Sequence, residues 1–434
     1  MVARIFSLII TLLITVSVHA SPKIEHWQTS NGARVYFVAA PELAMVDIKV
    51  VFDAGSARDG DLSGTALLTN AMLSEGAAGL NTNQISAEFE NVGAQFSNSS
   101  ERDMALLSMR SLTAAFALKP ALKTFQHVLT QPDFPPASFE RLQKQMLIGL
   151  QAEKQSPGAI ASRAFYNNLY GDHPYAAMPA GNENSVNALD IATLKAFYQQ
   201  YYVANNAIVI LVGALNLQQA KAIAEDLLAD LPAGKTATTL AKVTPLLTAK
   251  NITIDHPSSQ THLMMGQPGI SRHDPDYFAL YVGNHILGGS GLVSLLSNEV
   301  REKRGLSYSV YSYFRPMRAL GPYQFGLQTK NAQANQALDV VRNTLNTFID
   351  QGPSAAELVA AKQNITGGFA LRLDSNSKIA GYITMIGFYN LPLDYLNTFK
   401  ESINAISIEQ IKEAYSRRID ANKMVTILVG GQAE

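Results

Sequence analysis

At 434 residues the chain is too long for one ordinary hydrophobic core, so two domains are expected. Its 34 basic residues are balanced by 35 acidic ones, which excludes the basic surplus a nucleic-acid-binding surface presents to phosphates. There is no cysteine, so disulfides and thiolate metal sites are excluded. A charged fraction of 16% beside 47% hydrophobic residues fits a well-packed globular protein with some surface left for a partner.

The N-terminus reads as a secretory signal. Arg4 is its basic element, residues 5–18 are apolar, and Val18-His19-Ala20 precedes Ser21-Pro22, which predicts cleavage after Ala20. A retained anchor is the rival reading, but the apolar run falls short of the ~20 residues of a spanning helix. No other segment is long and apolar enough to span, so stable membrane insertion is not expected and the bacterial periplasm is the expected address.

The mature chain opens as a hairpin. Residues 24–28 and 34–38 flank the turn Ser30-Asn31-Gly32. Residues 45–52 form a third strand, nearly continuous in apolar side chains. A loop over 55–64 leads to a helix over 65–73, and a second helix over 83–92 closes at Gly93. Strands follow over 94–97 and 104–112, then long helices over 114–129, 138–154 and 158–169. A helix over 188–202 leads into a strand over 207–212.

The second half repeats this order. Residues 191–213 and 408–430 align without a gap, 217 residues apart. Lys195 matches Lys412, Tyr198 matches Tyr415, and the strand Ile210-Leu211-Val212-Gly213 matches Ile427-Leu428-Val429-Gly430. Pro136 and Pro353 echo each other at the same offset, with Ser354 and Glu357 in capping-box spacing. A period this long means duplicated domains. The expected fold class is α+β, with two homologous domains of antiparallel-rich sheet and helices packed on one face. The units are 1–20 as signal, 21–231 as the first domain, 232–250 as an Ala-, Thr- and Lys-rich linker, and 251–434 as the second domain.

Residues 290–314 stand out in the second copy. An apolar helix is expected from Ser290 through Leu292, Leu295, Leu296 and Val300, with Lys303 and Arg304 at its negative end and Gly305 as its cap. From Leu306 the pattern alternates as in a strand, so that Tyr308, Val310, Ser312 and Phe314 share a face. Such a turn can aim the Arg301 guanidinium and the Tyr308 phenol at one place. Taken alone, Arg301 reads as a dipole-paired or solvated arginine and Tyr308 as a half-buried strand tyrosine. Tyr311 and Tyr313 fall on the opposite face, as packing or surface residues. Gly288-Gly289-Ser290-Gly291 lacks the lysine of a phosphate loop and reads as a flexible turn. Ser63, Ser74 and Ser307 have no motif partner for nucleophilic catalysis.

The duplication resembles the pitrilysin/insulinase-like family of zinc peptidases, which includes the mitochondrial processing peptidase, over essentially the whole mature chain. The markers are the strand-loop-helix of residues 50–76, Gly171-Asp172-His173-Pro174-Tyr175, Leu287-Gly288-Gly289 and, above all, the string from Arg301 to Tyr308. That string is similar to the family's arginine and tyrosine, which bind substrate beside the metal. Active members carry His-x-x-Glu-His on the early helix, where two histidines hold zinc and the glutamate is general base. Here Leu67 and Ala71 stand in the histidine positions and Asn70 in that of the glutamate. The family's third ligand, a glutamate, falls near residues 148–150, where there is no carboxylate; Glu153, one turn on, reads as a surface residue.

No other position supplies a motif. The eight histidines include no pair three or four apart. His256 and His262 bracket a loop, where a ligand pair would be the site of a third alternative, an autonomous peptidase, and His173 reads as a turn or packing residue. The resemblance therefore implies a non-catalytic subunit that binds no metal itself. It would supply Arg301 and Tyr308 to a zinc-bearing sister subunit that cleaves extended or unfolded peptides. The alternative is a metal-free scaffold or binding protein of the cell envelope with the same fold.

Overall fold

The protein was analysed as a computed structural model that describes residues 22–431; the expected leader lies outside them. Strands β1 (Glu25–Gln28) and β2 (Arg34–Ala39) form the expected hairpin, and β3 (Met45–Phe52) follows with the predicted bounds. Helix α1 (Thr65–Met72) leads through a small ribbon, β4 (Gly76–Ala77) and β5 (Leu80–Asn81), to α2 (Thr82–Glu90). Then come β6 (Gln95–Ser100), β7 (Ala105–Leu112), α3 (Ala115–Thr130), α4 (Pro136–Glu153) and α5 (Pro157–Tyr170). The helix expected over 188–202 is preceded by a separate short one, α6 (Glu183–Ala188), and itself runs as α7 (Ile191–Tyr201). Leu189 is extended between them, and the Asp190 side chain accepts the Thr193 amide at 2.7 Å, starting a new helix rather than continuing the old one. The half ends with β8 (Ala207–Gly213), buried throughout, and α8 (Leu217–Leu228).

Residues 232–249 carry no regular structure, yet they lie against the first half. Val243 is buried, the Thr238 carbonyl accepts from Arg58, and the Ala241 carbonyl lies 3.0 Å from His173 Nε2. His173 is a packing residue as expected, with its Nδ1 accepting the Tyr175 amide at 3.1 Å. The second half contains β9 (Lys250–Asp255), β10 (Gln260–Pro268), α9 (Tyr277–Asn284), β11 (Val310–Phe314) and β12 (Pro322–Lys330). It ends with α10 (Ala334–Gln351), α11 (Ala355–Gly367), α12 (Asn376–Phe388), α13 (Tyr395–Ala405), α14 (Ile408–Arg418) and β13 (Val425–Gly430). The Ser354/Glu357 capping box forms at the start of α11.

The repeat in sequence is a repeat in topology. The first sheet runs β1-β2-β8-β3-β7-β6 and the second β9-β13-β10-β12-β11. In each, one pair is parallel, β2 with β8 and β9 with β13, and every other pairing is antiparallel. β1 is the one strand of the first sheet without a counterpart. The fold class is the expected α+β pair of homologous domains.

The helices do not simply stay with their own sheets. α5, from the first half, lies on β10 and β13 of the second. In return α12, from the second half, lies on β8 and β3 of the first. Ile379, Ile383 and Ile386 of α12 share one buried cluster with Val38, Val51, Ile208, Ile210 and Val212. Burying each isoleucine contributes about 1.5–3 kcal/mol. The approach is close enough that a Cβ on Gly387 would sit 2.7 Å from the Tyr36 ring. A polar clasp sits beside this contact. Asp103, only 3% exposed, accepts from the Tyr389 hydroxyl at 2.9 Å, from the Arg318 amide at 2.8 Å and from the Tyr175 hydroxyl. Burial, and then the Asp103 charge, push both phenols well above their usual pKa, so they remain donors.

Candidate functional site

The stretch that carries Arg301 is not the uniform α-helix expected from Ser290. After α9 the chain makes a wide turn, His285–Gly289, then a narrow one, Gly291–Val293, and then a second wide helical segment, Ser297–Glu302. Wide turns of this kind concentrate at functional sites. Gly288 is not a flexible turn residue. A Cβ there would lie 2.3 Å from Ser312 Oγ, so glycine is what lets this turn rest on β11. Leu296 and Val300 are buried as expected, whereas Leu292 is exposed.

The segment closes at Gly305, which has φ +59°. Its amide donates to Arg301 O and that of Leu306 to Val300 O, both at 2.9 Å. These bonds are each one residue wider than in an ordinary glycine-closed helix. Lys303 and Arg304 both pair with Glu299, each at 2.6 Å, and hold its carboxyl below the usual range, the Lys303 hydrogen bond most of all. They therefore serve this local ion pair more than the helix dipole.

The strand begins later than alternation suggested. Thr329 Oγ1 takes the Leu306 carbonyl at 2.5 Å, and Ser307 Oγ donates to Ser309 O at 2.7 Å, making a tight local turn. Pairing with β12 starts at Val310. Tyr308 is thus a loop residue, 85% exposed, and does not share the buried face of Val310 and Ser312. Tyr311 and Tyr313 lie on the outer face, stacked 5.8 Å apart.

The structure does bring Arg301 and Tyr308 together. The Arg301 guanidinium carbon lies 4.9 Å from the centre of the Tyr308 ring. Its Nε is 3.5 Å from Glu302, a loose pair, and the side chain is 28% exposed. Beyond that pair and the Tyr308 ring, the guanidinium has no hydrogen-bonded side-chain partner among the described residues, and Tyr308 is open to solvent. Such a pair can grip a carbonyl or carboxylate and donate to a developing oxyanion.

In the first half, Leu67 and Ala71 of α1 line a cleft of about 390 Å³ with Leu142, Met146, Leu150 and Glu153. Asn70 does not point with them. It is 2% exposed, its Nδ2 lies 3.3 Å from Tyr202 Oη, and its backbone carbonyl accepts Asn98 Nδ2 at 2.6 Å, tying α1 to β6. Leu150, in the stretch where a third ligand was sought, does face the cleft, and Ile148 is exposed to solvent. Glu153 is not the plain surface residue expected. It stands at the mouth of the cleft and binds Arg163 at 2.6 Å, and Arg163 also donates to Gly181 O. Zinc needs imidazole, thiolate or free carboxylate, and this apolar lining does not fit it. Among the described residues, no three His, Asp or Glu side chains converge as metal ligands elsewhere, so His256 and His262 gain no third partner.

A larger cleft, about 620 Å³, opens between α9, its wide turn and β11. Sequence reasoning missed it, because its arginines, at 272, 315 and 372, are spread over a hundred residues with no spacing to link them. Asn284 crosses its floor, donating to Ser312 O at 2.9 Å and accepting from Ser312 Oγ at 2.7 Å. That fills the centre of the β11 edge. β6, the matching edge of the first sheet, has no such cover among the described residues.

Comparison with known proteins identifies the family. The family described as insulinase (peptidase family M16) matches residues 34–181, and the peptidase M16 inactive domain matches residues 188–365. The crystal structure of a peptidase M16 inactive domain from Pseudomonas fluorescens is 42% identical, with a TM-score of 0.92, covering 94% of this chain and 98% of that one. The uncharacterized zinc protease YmxG of Bacillus subtilis is 24% identical over 395 residues, covering 89% of this chain and 94% of its own length. The non-peptidase homolog YmxG of Helicobacter pylori is 23% identical over 313 residues, 72% of each chain. Among the described residues no helix is long and apolar enough to cross a membrane.

Proposed function

Because the chain belongs to the insulinase (M16) peptidase family and is an inactive homologue within it, we propose that it is the substrate-binding, non-catalytic subunit of a heteromeric zinc metallopeptidase. The observation that carries this reading is the asymmetry between the two halves. The helix that should hold zinc presents Leu67 and Ala71 to an apolar cleft, while a half-buried Arg301 stands together with an exposed Tyr308.

In this reading the zinc and its water belong to a sister subunit that carries the histidine motif, and the pair works in the bacterial periplasm. Arg301 holds a substrate carbonyl or carboxylate through its fork of N–H donors. Tyr308 donates to the carbonyl oxygen at the bond being cut as negative charge gathers there. An extended peptide joins a sheet edge, with β6 the more open of the two candidates.

The test is to purify the chain with a sister subunit bearing His-x-x-Glu-His and to follow cleavage of a quenched fluorescent peptide. Arg301→Ala and Tyr308→Phe should each lower the rate by about 10²-fold, the usual loss for one oxyanion donor. Rates equal to wild type in both variants would remove the assigned roles, and absence of cleavage with every such sister would favour the scaffold alternative.

A further inference from the structure

The cleft between α9 and β11 has an unusual charge pattern. Arg272, Arg315, Arg372 and His285 line it, and no Asp or Glu does. Arginines that share a partly enclosed cleft repel one another unless something negative lies among them. Arg315 has a loose ionic pair, Glu101 at 3.5 Å, and otherwise the neutral Tyr166 hydroxyl beside it. Arg372 donates to a neutral partner, Tyr281 Oη, at 2.9 Å. Arg272 has no hydrogen-bonded side-chain partner, and its Nε is buried without an acceptor. Its guanidinium lies 5.7 Å from the Tyr277 ring centre and 5.3 Å from that of Tyr389. The ring faces attract the charge but leave the N–H donors unfilled. Burial and the nearby Arg372 charge hold His285 below its usual pKa, which agrees with a positive field in the cleft.

We infer that this cleft is a binding site for a carboxylate carried by a peptide, held by Arg272 and Arg372 between tyrosine walls. Two guanidiniums with free donors and no internal anion suit a planar two-oxygen ligand. The cleft borders the loop of Tyr308 through Ser309, so a peptide held at Arg301 and Tyr308 can place a terminal or side-chain carboxylate here. The inference rests on the peptide-binding reading for the kind of molecule that brings the anion, and phosphate offers the same chemistry from another source.

The experiment uses the full mature chain and a fluorescein-labelled alanine-serine nonapeptide, with a free C-terminal carboxylate or as the C-terminal amide, read by fluorescence anisotropy. The acid should bind about 10- to 100-fold tighter than the amide, as expected for charge-assisted hydrogen bonds. That ratio should fall toward one in Arg272→Gln and Arg372→Gln. Arg272→Lys, which keeps the charge and the ring contacts, should give an intermediate ratio, and thermal melts confirm that each variant is folded. Equal binding of acid and amide, no binding of either, or a ratio unchanged in both glutamine variants would overturn the inference. Displacement of a fluorescent phosphate analogue by millimolar inorganic phosphate, with acid and amide alike, would assign the cleft to phosphate instead. If the ratio behaves as stated but no sister mixture cleaves peptide, the carboxylate site stands and the subunit role falls.

Discussion

Replacing Asp103 tests how the two halves are held together. Its carboxylate accepts three hydrogen bonds at 3% exposure, two of them from Arg318 and Tyr389 of the second half. Hydrogen bonds to a charged group are each worth about 1.5–3 kcal/mol, but three on one group do not add in full. Asp103→Ala also leaves two phenols buried with no acceptor, so the loss should be about 3–5 kcal/mol, the range for breaking a buried charged network. Asp103→Asn should be milder, about 1–2 kcal/mol. Its amide oxygen can keep the Tyr389 and Arg318 bonds that now end on Oδ2, and its NH2 can donate to Tyr175 Oη, which now donates to Oδ1. Urea unfolding gives the size of each effect. Hydrogen exchange across α12 says where it falls, and should show residues 376–388 losing protection before the first sheet does. An alanine variant within about 0.5 kcal/mol of wild type would refute the clasp. An asparagine variant as damaging as alanine would refute the proposed geometry.

The other predictions address separate parts of the chain. The Asp59 carboxyl is pushed up to about 7 by burial, against the opposing pull of the Ala66 and Gly64 amides. Its folded pKa lies above its unfolded value, so its stabilising share is complete below about pH 4 and is lost as pH rises toward 7. Stability should fall across that window by at most ~1.4 kcal/mol per pH unit from this group, and Asp59→Asn should flatten the profile. The triple variant L67H/N70E/A71H should hold zinc below one equivalent by elemental analysis, whereas adding Leu150→Glu, whose side chain faces the same cleft, should bring it to one equivalent. Gly387→Ala should destabilise by about 1–3 kcal/mol through the Tyr36 ring, and Tyr36→Leu should recover part of that in the double variant.

The local pattern of the chain was readable, and the long-range part was not. The hairpin, β3 and the long helices follow from turn residues and periodicity that act within a few residues. The 217-residue repeat anticipates two sheets of the same strand order, because the matched segments end in β8 and β13. Alternation placed Tyr308 on a strand, but Ser307 and Thr329 take the backbone groups that a strand would use there. Widened helical turns have no sequence code, so the path from His285 to Glu302 could not be read. That Leu67 and Ala71 carry no metal-binding side chain, and Asn70 no carboxylate, was plain from the sequence. The inward turn of Asn70 depends on Tyr202, 132 residues away, and so could not be foreseen.

The crossing of α5 and α12 bears on how such a chain could have arisen. Each sheet leaves one face bare unless the opposite half lends its helix. An ancestor with a single repeat would have met that need by pairing with an identical copy, each lending its helix about a twofold axis. Fusion of two genes would then have freed the halves to diverge, so that one presents Leu67 and Ala71 to an apolar cleft and the other Arg301 beside Tyr308. The same logic predicts that residues 22–231 and 232–431, expressed as separate polypeptides, are each insoluble alone and reassemble when made together.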